Sequence, residues 1–217
     1  MNRKKILTGL VSVFFPQRCA CCGRVIVPSA LFCPECLAAL PKTVYERSAV
    51  GGFLCSAALL YEEPYSTALK RFKFHSKPGG LQGFAFLTVK AARERFAGKD
   101  FDAVTCVPMT RLAVFKRGYN QSEELARACA KLMALPFEPV LEKYRSNAPQ
   151  RTLNRSQRAK NVRGVFRIRK SHSVTGKRYL LIDDVITTGS TLGECARVLK
   201  TGGCSEVCCA VLCTTPE

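Results

Sequence analysis

The thirteen residues from Tyr179 to Thr191 constrain the fold of this chain more than any other stretch. Arg178–Ile182 reads as an apolar strand that stops abruptly at two carboxylates, Asp183 and Asp184. Val185 and Ile186 follow, then Thr187-Thr188-Gly189-Ser190-Thr191. A short continuous apolar run suits a strand covered on both faces, as in a parallel sheet. The hydroxyl-rich turn opens a helical pattern over Thr191–Lys200 that Gly202-Gly203 closes. Strand, acidic pair, turn and helix in this order put backbone N–H groups and hydroxyls at a helix N-terminus, a natural cradle for phosphate. Gly189 lets the backbone come close to an anion. The carboxyl end of a strand is also where open α/β sheets bind ligands. Paired carboxylates beside such a cradle suit a sugar diol, directly or through Mg²⁺.

The rest of the chain supports an α/β fold. Leu54–Tyr61 reads as a strand and Pro64–Phe74 as a helix with proline in its first turn. Gly80–Phe96 and Glu123–Leu135 read as helices, Asp102–Val107 and Glu206–Cys213 as strands. Strands alternating with helices predict a mostly parallel sheet with helices on both faces. Residues 41–53, with Gly51-Gly52, read as a linker, and no internal repeat is present. The 217 residues thus divide into an N-terminal unit, 1–45, and a larger domain, 54–217. Hydrophobic residues at 47% and charged residues at 23% exclude a disordered chain, a collagen and a coiled coil.

The N-terminal unit holds an unusual set of cysteines. Cys19-x2-Cys22 and Cys33-x2-Cys36 are two knuckles separated by ten residues. Four thiolates so spaced can surround one Zn²⁺ tetrahedrally, at about 2.3 Å each. Such a closed site leaves no place for water, so the zinc would be structural. It would also stabilise a segment too small to fold alone, zinc-finger peptides gaining roughly 10–16 kcal/mol. Cys21 is a fifth, adjacent thiol, so the choice of Cys19 and Cys22 rests on spacing. Cys55, Cys106, Cys129, Cys195, Cys204, Cys208, Cys209 and Cys213 lie in apolar segments, where cysteine acts as a small buried hydrophobe. Disulfide frameworks belong mostly to short secreted chains, so these cysteines point to a reducing compartment, the cytoplasm.

Arg3-Lys4-Lys5 followed by Ile6–Phe15 imitates the start of a signal peptide. Pro16-Gln17-Arg18-Cys19, however, supplies no small-x-small cleavage site. Ile6, Leu7, Leu10, Val11, Phe14 and Phe15 recur at helical spacing, so the expectation is an amphipathic helix packed on the cysteine module or on a partner. No run reaches the roughly 18 apolar residues of a transmembrane helix.

Lys and Arg number 34 against 16 Asp and Glu, a net charge of +18. Such an excess favours phosphate-rich ligands, nucleic acid or an anionic surface. Twelve of the cations fall between Lys143 and Ile182, a stretch with no Asp or Glu, immediately before the acidic loop.

Residues 180–191 closely resemble the phosphoribosyl-pyrophosphate loop of type I phosphoribosyltransferases. The resemblance implies that Asp183 and Asp184 face the ribose hydroxyls and that Thr187, Thr188, Gly189, Ser190 and Thr191 hold the 5′-phosphate. Further segments narrow it: the cysteine module, Leu69–Phe74, Val107-Pro108 with Lys116-Arg117-Gly118-Tyr119-Asn120-Gln121, and Gln150–Phe166, carrying Gln150, Leu153, Arg158, Asn161, Gly164 and Phe166 in order. With these, the chain resembles the ComF family over essentially its whole length. That implies a bacterial cytoplasmic protein with a small zinc-ribbon-like module before a type I phosphoribosyltransferase-like domain, associated with single-stranded DNA handling in natural transformation.

The resemblance assigns pyrophosphate to the loop Pro108–Arg111, through Thr110 and Arg111, with Arg117 beyond it and Lys73 in reach of the same charge. Phosphoribosyl transfer passes through an oxocarbenium-like centre as Mg²⁺–pyrophosphate leaves, so the protein must position and stabilise charge more than supply a nucleophile. No Ser/His/Asp or Cys/His set stands out in the sequence, which holds only two histidines. The Lys143–Ile182 stretch would contain a hood over the acceptor, whose identity is not legible in Gln150-Arg151-Thr152-Leu153.

Three functions follow. One is a phosphoribosyltransferase that binds phosphoribosyl pyrophosphate with Mg²⁺. Another is a non-catalytic adaptor for single-stranded DNA, using Arg155, Arg158 and Arg163, with Tyr119, Tyr144 and Phe166 as stacking faces. The third is a module that docks a DNA-uptake helicase or channel through residues 4–15. The favoured reading is a phosphoribosyltransferase-like ComF protein that serves DNA uptake.

Overall fold

The computed structural model describes residues 16–49, 51–74, 80–145 and 161–216. In chain order its elements are α1 (Pro34–Ala38), β1 (Tyr45–Ala49), β2 (Phe53–Leu60), α2 (Tyr65–Phe74), α3 (Leu81–Arg95), β3 (Ala103–Cys106), α4 (Arg111–Arg117), α5 (Gln121–Met133), β4 (Leu141–Lys143), β5 (Phe166–Ile168), β6 (Arg178–Ile186), α6 (Ser190–Thr201) and β7 (Glu206–Thr214). Five strands form one sheet in the order β1-β2-β7-β6-β3, and β4 and β5 form a separate antiparallel pair. Within the larger sheet only β1 runs antiparallel, to β2; the other pairs are parallel.

The apolar runs are strands because both of their faces are covered. Leu180 and Ile182 of β6 join Cys208, Ala210 and Leu212 of β7 in one core with α3 and α5. Tyr179 and Leu181, with Cys209 and Val211, face the other way into a second core with Leu192, Cys195, Ala196 and Leu199 of α6. This is the period-two alternation of a strand with helices on each side. The eight cysteines outside the knuckles are all buried, as small apolar residues of these cores.

Two readings change. Residues 41–53 are not a plain linker, for Tyr45–Ala49 pairs with β2 and Gly51 and Gly52 turn the chain at φ +94° and +79°. β1 is an edge strand whose half-exposed sequence carries no apolar run to mark it. The second change is the length of β6, which continues past the acidic pair to Ile186 because β7 keeps pairing with it, Asp183 with Val211 and Ile186 with Thr214. The three-residue strands β4 and β5 and the seven-residue α4 are too short to show a period. Residues 4–15 lie outside the described residues. Among the described residues no helix is long and apolar enough to cross a membrane.

The cysteine module is seated on α2 and α3. Ala20, Phe32 and Cys33 belong to the same core as Phe84. Arg71 of α2 donates from its guanidinium to the carbonyls of Cys21 and of Cys22, the latter at 2.7 Å. A Cβ at Gly83 would lie 2.6 Å from Cβ of Ala20 and 3.2 Å from the Phe32 ring. Gly83→Leu is therefore expected to lower the melting temperature. Overfilling a close contact costs about 1–3 kcal/mol or more, above the roughly 1 kcal/mol that a non-glycine residue gains in helix propensity. An unchanged thermal melt would show that the module does not rest on α3.

Candidate functional site

The parallel strands β3 and β6 deliver their carboxyl ends to one edge of the sheet, where two loops meet. Val107, just past β3, donates its N–H to the Ile182 carbonyl at 3.0 Å. The chain then runs through Pro108 and Met109 to Thr110, which caps α4 by accepting from the Ala113 N–H at 3.2 Å. Gly118, at φ +87°, ends α4 and allows the sharp return into α5. Asn120 caps α5: its side-chain oxygen accepts from the Ser122 N–H at 3.2 Å, and its amide donates to the Val107 carbonyl at 3.3 Å. Tyr119 donates its hydroxyl proton to the Phe72 carbonyl in α2. The Lys116–Gln121 motif is thus a bracket that holds the loop after β3.

Asp183 is half-buried at the end of this bracket. Ser122 donates its hydroxyl to the Asp183 carboxylate at 2.6 Å, and the Asp184 N–H donates to the same oxygen at 2.9 Å. The carboxylate is oriented by two donors before any ligand arrives. Ser122 was not legible as a site residue, because it is 61 positions away in the chain and looks like an ordinary first-turn serine. The nearby thiols are unsuited to act as nucleophiles. Burial first, then the charges of Glu123 and Asp183, pushes Cys106 up. Burial does the same to Cys195 and Cys209, and raises Cys55 to about 12.

After Ile186 the chain turns through Thr187 and Thr188 to Gly189, which sits at φ +72° and precedes the twelve-residue α6. An L side chain is strained in that left-handed conformation, so glycine is favoured there. Gly189 makes no side-chain cap, and the Thr188 and Ser190 hydroxyls lie 2.9 Å apart at the same helix start. The first turn of α6 therefore presents N–H groups and hydroxyls together. Arg47 of β1 reaches this loop, its guanidinium donating to the Thr187 carbonyl at 3.4 Å and to the Thr215 carbonyl at 3.2 Å. Reading residues 41–53 as a linker hid this cation.

The residues assigned to pyrophosphate are spread along α4. Arg111 is exposed in the first turn. Arg117 lies about 9 Å further along the axis, and its guanidinium donates to Gln121 at 3.0 Å. Thr110 and Arg111 instead line a cleft of about 440 Å³ with Lys143, Arg167 and Arg169, at the antiparallel β4–β5 pair. Arg163 is exposed just before β5, while Arg155 and Arg158 lie outside the described residues.

The four knuckle cysteines converge. The sulfurs of Cys19, Cys22, Cys33 and Cys36 all lie within 4.8 Å of one another, and Cys22 and Cys33 are 3.7 Å apart. A tetrahedron of Zn–S bonds of about 2.3 Å has edges of about 3.8 Å. The second knuckle is built on a helix start: Cys33 caps α1 with its sulfur accepting from the Cys36 N–H, and Pro34 follows at the first turn. Burial opposes ionisation of Cys19, but N–H groups of Cys22, Cys33 and Cys21 aimed at its sulfur bring it down to about 7. Burial pushes Cys36 up, reinforced by its sulfur neighbours, and a divalent cation bound there would favour its thiolate. Cys21 stands outside the cluster, fully buried, its thiol pushed up to about 12 by burial. The donor set therefore fits a closed four-thiolate zinc site.

A mostly parallel sheet with an oriented Asp183 carboxylate and a glycine-turned helix start at its carboxyl edge defines a phosphoribosyltransferase-fold protein. Residues 78–217 match the family Phosphoribosyl transferase domain. Competence protein F of Haemophilus influenzae is 29% identical over 198 residues, 89% of this chain and 82% of that protein. DNA utilization protein YhgH of Escherichia coli is 27% identical over 209 residues, covering 91% and 90%. Competence protein ComFC of Streptococcus pneumoniae is 32% identical over 101 residues, covering 46% and 43%. The crystal structure of adenine phosphoribosyltransferase from Saccharomyces cerevisiae aligns over 84% of this chain and 89% of that one, with 14% identity and a TM-score of 0.44. The chain belongs to the phosphoribosyl transferase domain family, in its ComF branch.

Proposed function

We propose that this protein binds phosphoribosyl pyrophosphate at the carboxyl edge of its sheet and serves the uptake or use of DNA in the cytoplasm. The observation that carries the reading is the Asp183 carboxylate, oriented by Ser122 beside a helix start that offers N–H groups and hydroxyls. Asp183 and Asp184 take the ribose hydroxyls. Thr187, Thr188, Gly189, Ser190 and Thr191 take the 5′-phosphate. Thr110 and Arg111 take the pyrophosphate, with Arg117 at the far end of α4. Mg²⁺ carried in with the pyrophosphate would supply positive charge beside that group, with Thr110 and Arg111 as its protein partners. The side chains do the positioning, which suits a centre without a reactive thiol. Catalysis at this edge would pass the phosphoribosyl group to an acceptor as pyrophosphate departs. Structural zinc in the four-cysteine centre holds the N-terminal module. Calorimetric titration with phosphoribosyl pyrophosphate and Mg²⁺ tests the reading, and no binding would refute it.

The basic face supports a second reading, a single-strand adaptor. Arg163, Arg167, Arg169 and Lys170 are all exposed, and two relatives carry names that concern competence and DNA utilization. This reading expects single-stranded DNA binding whose logarithm falls with log salt by about 0.7 per phosphate neutralised. Reversing the charges of Arg155, Arg158 and Arg163 should abolish it in a filter-binding assay. Unchanged binding would exclude this surface. A docking role for residues 4–15 toward a helicase or channel would be read from partner capture by the chain with and without them.

A further inference from the structure

The cleft between the loop after β3 and the antiparallel β4–β5 pair concentrates positive charge. Arg111 stands on one side, with Thr110, and Lys143, Arg167 and Arg169 on the other. Among the described lining residues Glu142 is the only acid, and it already accepts from Arg167 at 2.7 Å. Tyr144 adds an exposed ring, with the guanidinium carbons of Arg167 and Arg145 at 4.7 and 5.2 Å from its centre. The Arg169 Nε donates to the Leu141 carbonyl at 3.2 Å, which fixes the base of its guanidinium against β4. Burial draws Lys143 below the ordinary lysine range. Four cations held around one acid repel one another, and an anion in the cleft relieves that repulsion. A neutral base asks only for a stacking face and a few hydrogen bonds. The volume of about 440 Å³ lies in the roughly 300–1,000 Å³ range of small-molecule sites.

We infer that this cleft is a phosphate-ester subsite: the molecule that meets the ribose phosphate across Thr110 and Arg111 brings a phosphate of its own, held by Lys143, Arg167 and Arg169, and is not a free base. The inference deepens the proposed function and rests on it for the identity of the neighbouring ligand. The charge of the cleft is independent of that reading.

The test is calorimetric titration of the intact, zinc-loaded protein with AMP, with adenosine, with an eight-nucleotide single strand, and separately with phosphoribosyl pyrophosphate and Mg²⁺. AMP should bind at least about tenfold more tightly than adenosine, the contribution of one charge-assisted contact. Arg167→Gln and Arg169→Gln should each weaken AMP by about tenfold and leave phosphoribosyl pyrophosphate within about twofold. The double variant Asp183→Asn, Asp184→Asn should keep AMP. Arg167→Gln removes an exposed ion pair with Glu142 and a contact with the Tyr144 ring, neither of them in the core, so it stands as the test if Arg169→Gln is unstable. Arginine-dependent binding of the strand at about a hundredfold higher affinity than AMP would support the inference with a polynucleotide as the phosphate source; similar affinities would support it with a free nucleotide. Equal binding of AMP and adenosine, no binding of AMP, or indifference to both arginine variants would overturn it. So would loss of AMP in the aspartate variant. If AMP binds through the arginines while phosphoribosyl pyrophosphate does not bind, the subsite stands and the proposed function falls.

Discussion

Withdrawing zinc with a strong chelator is expected to unfold the cysteine module and lower the melting temperature of the whole chain. A segment of about thirty residues cannot bury enough apolar surface to hold itself together. Four thiolates with a bound ion would replace that missing core, and in zinc-finger peptides metal binding is worth about 10–16 kcal/mol. The effect should spread, because Ala20, Phe32 and Cys33 share a core with Phe84 of α3 and Arg71 of α2 is anchored on two carbonyls of the first knuckle. Elemental analysis should find one zinc per chain and lose it in Cys33→Ser. Cys21→Ala should keep it, since Cys21 lies outside the sulfur cluster. A chelated protein that melts at the temperature of the untreated one would refute a metal-dependent module.

The second large effect is expected at the acidic pair. The double variant Asp183→Asn, Asp184→Asn should reduce affinity for phosphoribosyl pyrophosphate with Mg²⁺ by about a hundredfold or more. Hydrogen bonds to a charged partner contribute about 1.5–3 kcal/mol each, and each 1.4 kcal/mol is tenfold in affinity. The fold should survive, because asparagine has nearly the same shape and its oxygen can still accept from Ser122 and from the Asp184 N–H. Ser122→Ala, in the same series, should fall between wild type and the double variant, at about tenfold, because it frees a carboxylate that is otherwise held in place. Titration calorimetry beside a thermal melt separates loss of ligand from loss of fold. Full affinity in a folded double variant would remove the sugar from this site.

The two paired knuckles and the stretch from Tyr179 to Thr191 were legible because their meaning is local. C-x2-C spacing places two sulfurs on one turn, and the sheet shows in apolar runs whose flanking turns are marked by glycine and proline. The alternation of strands and helices led to the parallel sheet, which the pairings of β2, β7, β6 and β3 bear out. What escaped was the short and the half-exposed. Strand β1 has no apolar run of its own and exists because β2 offers an edge to pair with. With it went Arg47, which meets the Thr187 carbonyl across 140 positions.

The chain by itself thus determined the kinds of chemistry present: four sulfurs, two carboxylates, a hydroxyl-rich helix start and a surplus of cations. Each depends on neighbours a few residues apart, and such spacings carry through to any fold that keeps the local turn. Only the tertiary structure decided which of these groups meet. It aimed Ser122 at Asp183, left Cys21 out of the sulfur cluster and carried Arg111 to the side of Lys143, Arg167 and Arg169. The physical reason is distance along the chain: contacts between residues tens of positions apart depend on how the sheet and its helices pack, and no spacing in the sequence records that.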